Sequence, residues 1–294
     1  MENRFSRQIL AFGADGQRAI EEHRLAIVGL GGIGSQVTQA LAYLGGHSFL
    51  LIDDERAEET NLNRLIGATP EDVTAKRLKT EIAERMIRAI NPSAEIQSVH
   101  RNLRSHQAID DLTTSSVIFG CVDNDAARLI LMELACAYSV PLIDSASEII
   151  LDQARTRLDD FGGRVLVCRP GDFCVACGNE IDLETAKAEL ESEHVRALRR
   201  SHGYGLGDHL PAPAVVSLNG MIANLAVTEF LAMATGIRQP KRKRVYRGMR
   251  GIILENKDER RDDCYNCGYL TGKREAANIQ RYALQDTLTP HREE

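Results

Sequence analysis

Residues 24–34, RLAIVGLGGIG, constrain the fold of this chain more than any other stretch. An apolar run reads as a buried strand, the glycines after it form a turn, and SQVTQALAYLG continues at helical spacing. Gly29, Gly31 and Gly34 match a GxGxxG spacing, with Gly32 beside them. Small residues there let the backbone approach a phosphate, and the helix start offers unpaired N–H groups with a partial positive charge. Alone the spacing is a weak signal, but it dictates a strand–turn–helix unit, and such units stack into parallel sheets. HSFLLIDDE (47–55) reads as the next strand. Asp53 at its end stands where an acid accepts ribose hydroxyls, which points to an adenosine ligand without separating NAD from ATP.

The same rhythm continues for about 150 residues of α/β pattern. An amphipathic segment (5–22) precedes the first strand, and PEDVTAKRLKTEIAERMIRAIN (70–91) reads as one helix stopped by Asn91-Pro92. AEIQSVH, SSVIFGCVDN and VPLIDSAS supply the third, fourth and fifth strands, with the helix DAARLILMELACAYS between the last two. This predicts an α/β fold with a doubly wound, mostly parallel, Rossmann-like sheet. The pattern then changes: GGRVLVCRPG is a further strand, 178–214 is a polar, irregular crossover loop, and AVVSLNGMIANLAVTEFLAMATG (214–236) is an apolar helix. RVYRG with GIILEN closes the sheet as a C-terminal hairpin, and 272–294 forms a tail, helical and then charged. With no internal repeat, residues 1–294 read as a single domain whose core is mostly Leu, Ile, Val and Ala, since there is no Trp and aromatics make up 5%.

What separates ATP from NAD is the stretch NLNRLIGATPEDVTAKRLK at 61–79. The Gly turn largely handles a dinucleotide's pyrophosphate, whereas a triphosphate attacked at its α-phosphorus by a carboxylate develops charge that needs cations and donors along the whole chain. Arg64 and Lys76 supply cations, and Asn61 and Asn63 supply donors. Asp123, followed by Asn124 at the end of the fourth strand, is placed to hold Mg2+ at the point where strand order reverses. The competing readings are surface charges on a loop and helix, an NAD-dependent oxidoreductase, and a catalytically silent nucleotide-binding scaffold.

Seven cysteines include two CxxC pairs, Cys174 with Cys177 and Cys264 with Cys267. Four thiolates in this arrangement suit tetrahedral zinc, and with no ligand position left for water the site is structural. A reduced, cytoplasmic setting follows. The N-terminus carries charge too early for a signal peptide, and no apolar run is read as reaching the roughly 18 residues of a membrane span. With 36 basic against 42 acidic residues, neither nucleic acid nor membrane is an expected partner, and KRKR at 241–244 reads as a solvated turn.

RFSRQ at 4–8, GLGGIG at 29–34, Asp53, NLNR at 61–64, Lys76, CVDN at 121–124, CVAC and CYNC together resemble the adenylyltransferase superfamily of ubiquitin-activating enzymes and their relatives MoeB and ThiF. The resemblance implies ATP-dependent adenylation of the C-terminal glycine carboxylate of a ubiquitin-like or sulfur-carrier protein. It places Gly32, Asn61 and Arg64 on the phosphates, Asp53 on the ribose, Lys76 along the phosphate chain and Asp123 on Mg2+. Arg7 is implied to reach the nucleotide of a partner subunit, hence a homodimer, and a conjugating enzyme is a further candidate partner. The chain departs from many relatives in having no cysteine between Cys177 and Cys264. That favours direct hand-off of the adenylate, or a non-cysteine acyl intermediate for which Ser201, near His202 and His209, is the candidate. Cys121, Cys136 and Cys168 read as packing residues, with Cys168 the one to watch. The apolar helix at 215–235 and the hairpin after it are candidate docking surface. A peptide or small-molecule carboxylate is the alternative substrate.

Overall fold

The computed structural model describes residues 4–191 and 212–284. Eight strands form one sheet in the order β3-β2-β1-β4-β5-β6-β7-β8. β1 (Arg24–Val28), β2 (Ser48–Ile52), β3 (Glu95–Val99), β4 (Val117–Gly120) and the start of β5 (Leu142–Leu151) pair in parallel. β6 (Leu158–Cys168), β7 (Lys243–Arg247) and β8 (Ile252–Asn256) extend the sheet antiparallel, the last two as the expected hairpin. Strand order reverses between β1 and β4, so their carboxyl ends open a crevice.

β1, β2 and β4 are buried on both faces, as continuous apolar runs require, while β3 at the edge is only partly buried. On β1, Leu25 and Ile27 join one core cluster while Ala26 and Val28 join the other. The first cluster lies under α1 (Ser6–Glu22), α2 (Gly32–Leu44), α4 (Lys79–Ile90) and α8 (Val216–Thr235). The second lies under α5 (His106–Leu112), α6 (Asp125–Tyr138) and the two cysteine segments. α8 is 20 residues long and apolar enough to span a membrane by length and composition, contrary to the reading from sequence. It packs on α1, α2, β5 and β6 and buries Asn219 and Glu229, so a core role accounts for its hydropathy. Val216 and Met221, near its start, are its exposed large apolar residues.

Three elements differ from expectation. The helix read across 70–91 is two, α3 (Pro70–Thr74) and α4. Residues 77–79 leave the helix to pair with the segment after β2: Ala57 N–H donates to Arg77 O at 2.8 Å and Lys79 N–H to Glu55 O at 3.0 Å. β5 and β6 run well past the parallel sheet as a hairpin whose turn is held by the Asp152 carboxylate, which accepts from the Thr156 and Arg157 amides. The crossover loop opens with a helix, α7 (Leu183–Leu190), capped by Asp182. The tail packs as two short helical turns, Arg274–Ala277 and Ile279–Tyr282, against α6.

Candidate active site

The crevice starts at the turn between β1 and α2. Gly29 has φ +83°, and a Cβ there would lie 2.6 Å from the Cys121 carbonyl, so only glycine lets this turn touch the end of β4. Gly34 packs directly on the Gly29 carbonyl. Gly31 faces open space at the start of α2, where the first amides of the helix have no partner within it. Asp53 fastens the turn from the side: Oδ2 accepts from the Leu30 amide at 2.7 Å, and Oδ1 from the Glu55 amide at 2.8 Å. Burial raises the Asp53 pKa, while the charge of Lys79 and the two amides oppose that rise.

Arg64 reaches back over the same turn. A Cβ on Gly32 would come within 3.3 Å of Arg64 Cδ and would overlap Asn219 Nδ2. Asn219 arrives on α8, is buried, and accepts from the Ser147 hydroxyl at 2.8 Å. Sequence reading missed it; the available signal was a lone amide among Leu218, Ile222 and Ala226. The Asn61 side-chain oxygen accepts from the Glu58 amide and that of Asn63 accepts from Arg64, so both shape the loop that carries Arg64. Asp123 and Asn124 follow β4 at the crevice mouth, both exposed, with Asn124 capping α6 through the Ala127 amide.

Lys76 and Arg7 both lie away from this crevice, Arg7 being expected at that of a partner subunit. Lys76 is exposed in the break between α3 and α4 with φ +48°. Lys79, three residues on, is buried, pairs with Glu55 and acts electrostatically on Asp53, so it is the lysine beside the crevice. Arg7 is exposed on α1, whose start packs at the far end of α2: the Phe5 ring lies by Gly45, and Gln8 Nε2 donates to Leu44 O at 3.2 Å. A 13-residue helix is about 20 Å long, so Arg7 is remote from the Gly turn of its own chain. The KRKR run is no solvated turn: Lys241, Arg242, Lys243 and Arg244 pair with Glu255, Asp172, Asp258 and Glu229 respectively.

Cys174, Cys177, Cys264 and Cys267 bring their four sulfurs within 4.8 Å of one another. The close pairs are 3.6–3.8 Å apart, which matches the roughly 3.8 Å edge of a tetrahedron with 2.3 Å zinc–sulfur bonds. The donor set therefore fits Zn2+. The cluster pins the strand-end loop after β6 to the C-terminal segment and sits in the core under α6. Cys168 is buried beside it, and burial with the nearby Asp144 charge pushes its thiol well above the ordinary range. Burial likewise raises Cys121. Neither is poised as a nucleophile. Ser201, His202 and His209 lie outside the described residues.

From Asp123 a groove of about 440 Å³ runs out over β5, β6 and β7, on the face opposite α8, and Glu148, Asp160, Arg164 and Arg247 are among its lining. The arrangement is that of a nucleotide-binding α/β protein with a groove that starts at Asp123, at the mouth of its crevice. The chain belongs to the ThiF family, whose model matches residues 5–285, and the curated relatives it resembles are adenylyltransferases. Among curated relatives, the Escherichia coli sulfur carrier protein ThiS adenylyltransferase is 30% identical over 57% of this chain and 62% of its own. The E. coli molybdopterin-synthase adenylyltransferase is 27% identical over 90% of this chain and 96% of its own. The fold is shared with E. coli MccB, whose crystal structure with ATP superposes with TM-score 0.69 at 20% identity, covering 91% of this chain and 75% of that one.

Proposed function

We propose that this chain uses ATP and Mg2+ to adenylate the C-terminal carboxylate of a ubiquitin-like or sulfur-carrier protein ending in glycine. The observation that carries this is the convergence of Arg64 and Asn219 on Gly32, at the helix start that Asp53 fastens, with a groove that starts at Asp123 at the mouth of the same crevice. A carboxylate oxygen entering along the groove attacks the α-phosphorus, the bond to pyrophosphate breaks, and acyl-adenylate and pyrophosphate form. Arg64, Asn219 and the α2 amides offset charge on the phosphates, Asp53 accepts from the ribose, and Asn61 and Asn63 hold the Arg64 loop. Lys79 is assigned to the phosphate chain in place of Lys76, because its charge already acts within the crevice. Asp123, with Asn124 beside it, is the carboxylate for Mg2+, which binds through one or two such groups plus phosphates and neutralises charge there. Arg7 is assigned to the crevice of a second copy, since it lies far from its own.

With no cysteine between Cys177 and Cys264, and Cys121 and Cys168 raised, the adenylate is handed to an outside nucleophile. The test is pyrophosphate exchange with a panel of purified ubiquitin-fold proteins ending in glycine. Labelled pyrophosphate is expected to enter ATP with at least one of them, and not when its terminal glycine is deleted. Thermal stabilisation by NAD rather than by ATP–Mg, with no exchange for any carrier, would overturn the reading.

A further inference from the structure

The groove's charges do not cancel evenly along its length. Three of its four cations are neutralised from within: Arg128 by Asp125 and Asp144, Arg164 by Asp144 and Glu180, Lys243 by Glu180 and Asp258. Glu148, exposed on β5, has no side-chain partner among the described residues, and Asp160 accepts only from the Phe161 amide beside it, at 2.8 Å. Arg247 is the fourth cation and has no ion pair among the described residues.

Strand register orders these groups. Glu148 lies opposite Gly162, and Gly162 opposite Arg247, so one row across the sheet has a carboxylate, a bare floor and a guanidinium. The floor stays bare because a Cβ on Gly162 would overlap the Tyr246 carbonyl. Asp160 lies opposite Ile150, one row further out, where Ile150 is 44% exposed. An extended chain passing over Gly162 therefore meets two unpaired carboxylates on the β5–β6 side at the groove's outer end.

The rows also set a distance. Gly120, at the end of β4, is level with Asp144 on β5; Glu148 lies four residues further along and Ile150, opposite Asp160, six. At about 3.3 Å per residue these rows stand roughly 13 and 20 Å from the level of Gly120 at the crevice end of β4, and an extended tail covers that in about four to six residues.

We infer that the tail this groove accepts carries an arginine or lysine about four to six residues before its terminal carboxylate, held by Glu148 and Asp160. Arg247 donates to main-chain carbonyls of the same tail from the opposite flank, and an acidic residue at that depth is repelled. This rests on the adenylation reading above.

The test uses the full chain and synthetic ten-residue peptides ending in Gly-Gly with a free carboxylate, bearing Arg, Ala or Glu at each of the fourth to sixth positions from the end. Binding is read by fluorescence anisotropy without ATP, and pyrophosphate exchange with whole carriers is read in parallel. The best Arg peptide is expected to bind about tenfold more tightly than its Glu counterpart. The isosteric variant Glu148→Gln with Asp160→Asn is expected to abolish the difference, and Glu148→Arg with Asp160→Arg to reverse it. Equal binding of Arg and Glu peptides, or no binding of any, overturns the inference even if exchange occurs with a carrier. A charge preference with no exchange for any carrier overturns the adenylation reading instead, and leaves the groove's selectivity standing.

Discussion

Replacing Gly32 with alanine probes the crevice where its packing is tightest. The backbone of Gly32 is not left-handed, so alanine fits the conformation, and the conflict is one of space. Its Cβ would overlap Asn219 Nδ2 and lie 3.1 Å from Asn219 Cγ and 3.3 Å from Arg64 Cδ. Arg64 can swing aside. Asn219 is 3% exposed and holds the Ser147 hydroxyl, so it cannot move without loss. Breaking that hydrogen bond costs about 1 kcal/mol and overpacking about 1–3 kcal/mol, offset by about 0.4–1 kcal/mol of entropy that alanine gains over glycine. The net is a loss of about 1–3 kcal/mol, or a fall of roughly 2–5 °C in Tm for a domain of this size. ATP suffers separately, because a displaced Arg64 forfeits charge-assisted hydrogen bonds of about 1.5–3 kcal/mol, an affinity loss of roughly 10- to 150-fold. Gly31→Ala is the partner experiment. Its Cβ meets nothing, so the unliganded protein keeps its Tm to within about 1–2 °C while the methyl group intrudes where phosphate binds. Scanning fluorimetry of the unliganded protein and calorimetric titration with ATP–Mg separate the two variants. Unchanged Tm and Kd for Gly32→Ala, or an equal loss of stability for Gly31→Ala, would refute the placement of Arg64 and Asn219 over the turn.

Three further outcomes follow from the geometry. Lys79→Met is expected to lower pyrophosphate exchange by about 100-fold or more, while Lys76→Met stays within about twofold because Lys76 is exposed outside the crevice; a larger effect at Lys76 would reverse that assignment. Hydrogen bonds from Arg85, then from the Thr69 amide, hold the Asp72 carboxyl far below the usual carboxylate range. The unfolded chain therefore takes up this proton first, at about pH 3.9, so the stabilisation is present above that pH and is lost as pH falls further. Urea titrations from pH 3 to 6 should show wild type weakening toward acid, and Asp72→Asn weaker by about 2–3 kcal/mol at pH 6 with a flatter profile; parallel profiles would count against it. Wild-type protein is expected to hold one zinc per chain, and Cys264→Ser to lose it and to be cleaved faster by protease between residues 258 and 284; retention of metal by the variant would show that the four sulfurs do not form the site.

What could be read from the residues, and what could not, divides along the range of the interactions involved. The strand–turn–helix at 24–44, Asp53, the two cysteine pairs and the closing hairpin each declare themselves within about twenty residues, because period, turn chemistry and CxxC spacing are local properties. The break at 75–78 is invisible on those terms, since residues 70–91 have good helical spacing and only pairing with 55–57 pulls the chain out of it. That pairing leaves Lys76 exposed on a loop and brings Lys79 beside Asp53, which is why Lys79 is the lysine proposed for the phosphate chain. A signal was present: Lys79 shares its face of α4 with Ile82, Ala83 and Met86, and a cation on the buried stripe of an amphipathic helix needs a partner. Asn219 and Glu229 carry the same message on α8, and the four cations of 241–244 carry it in reverse, reading as surface because their acids lie elsewhere in the chain. Polar groups set among apolar ones are thus the places where sequence should be read as unfinished. Here Lys79 and Asn219 are also the ones that complete the crevice.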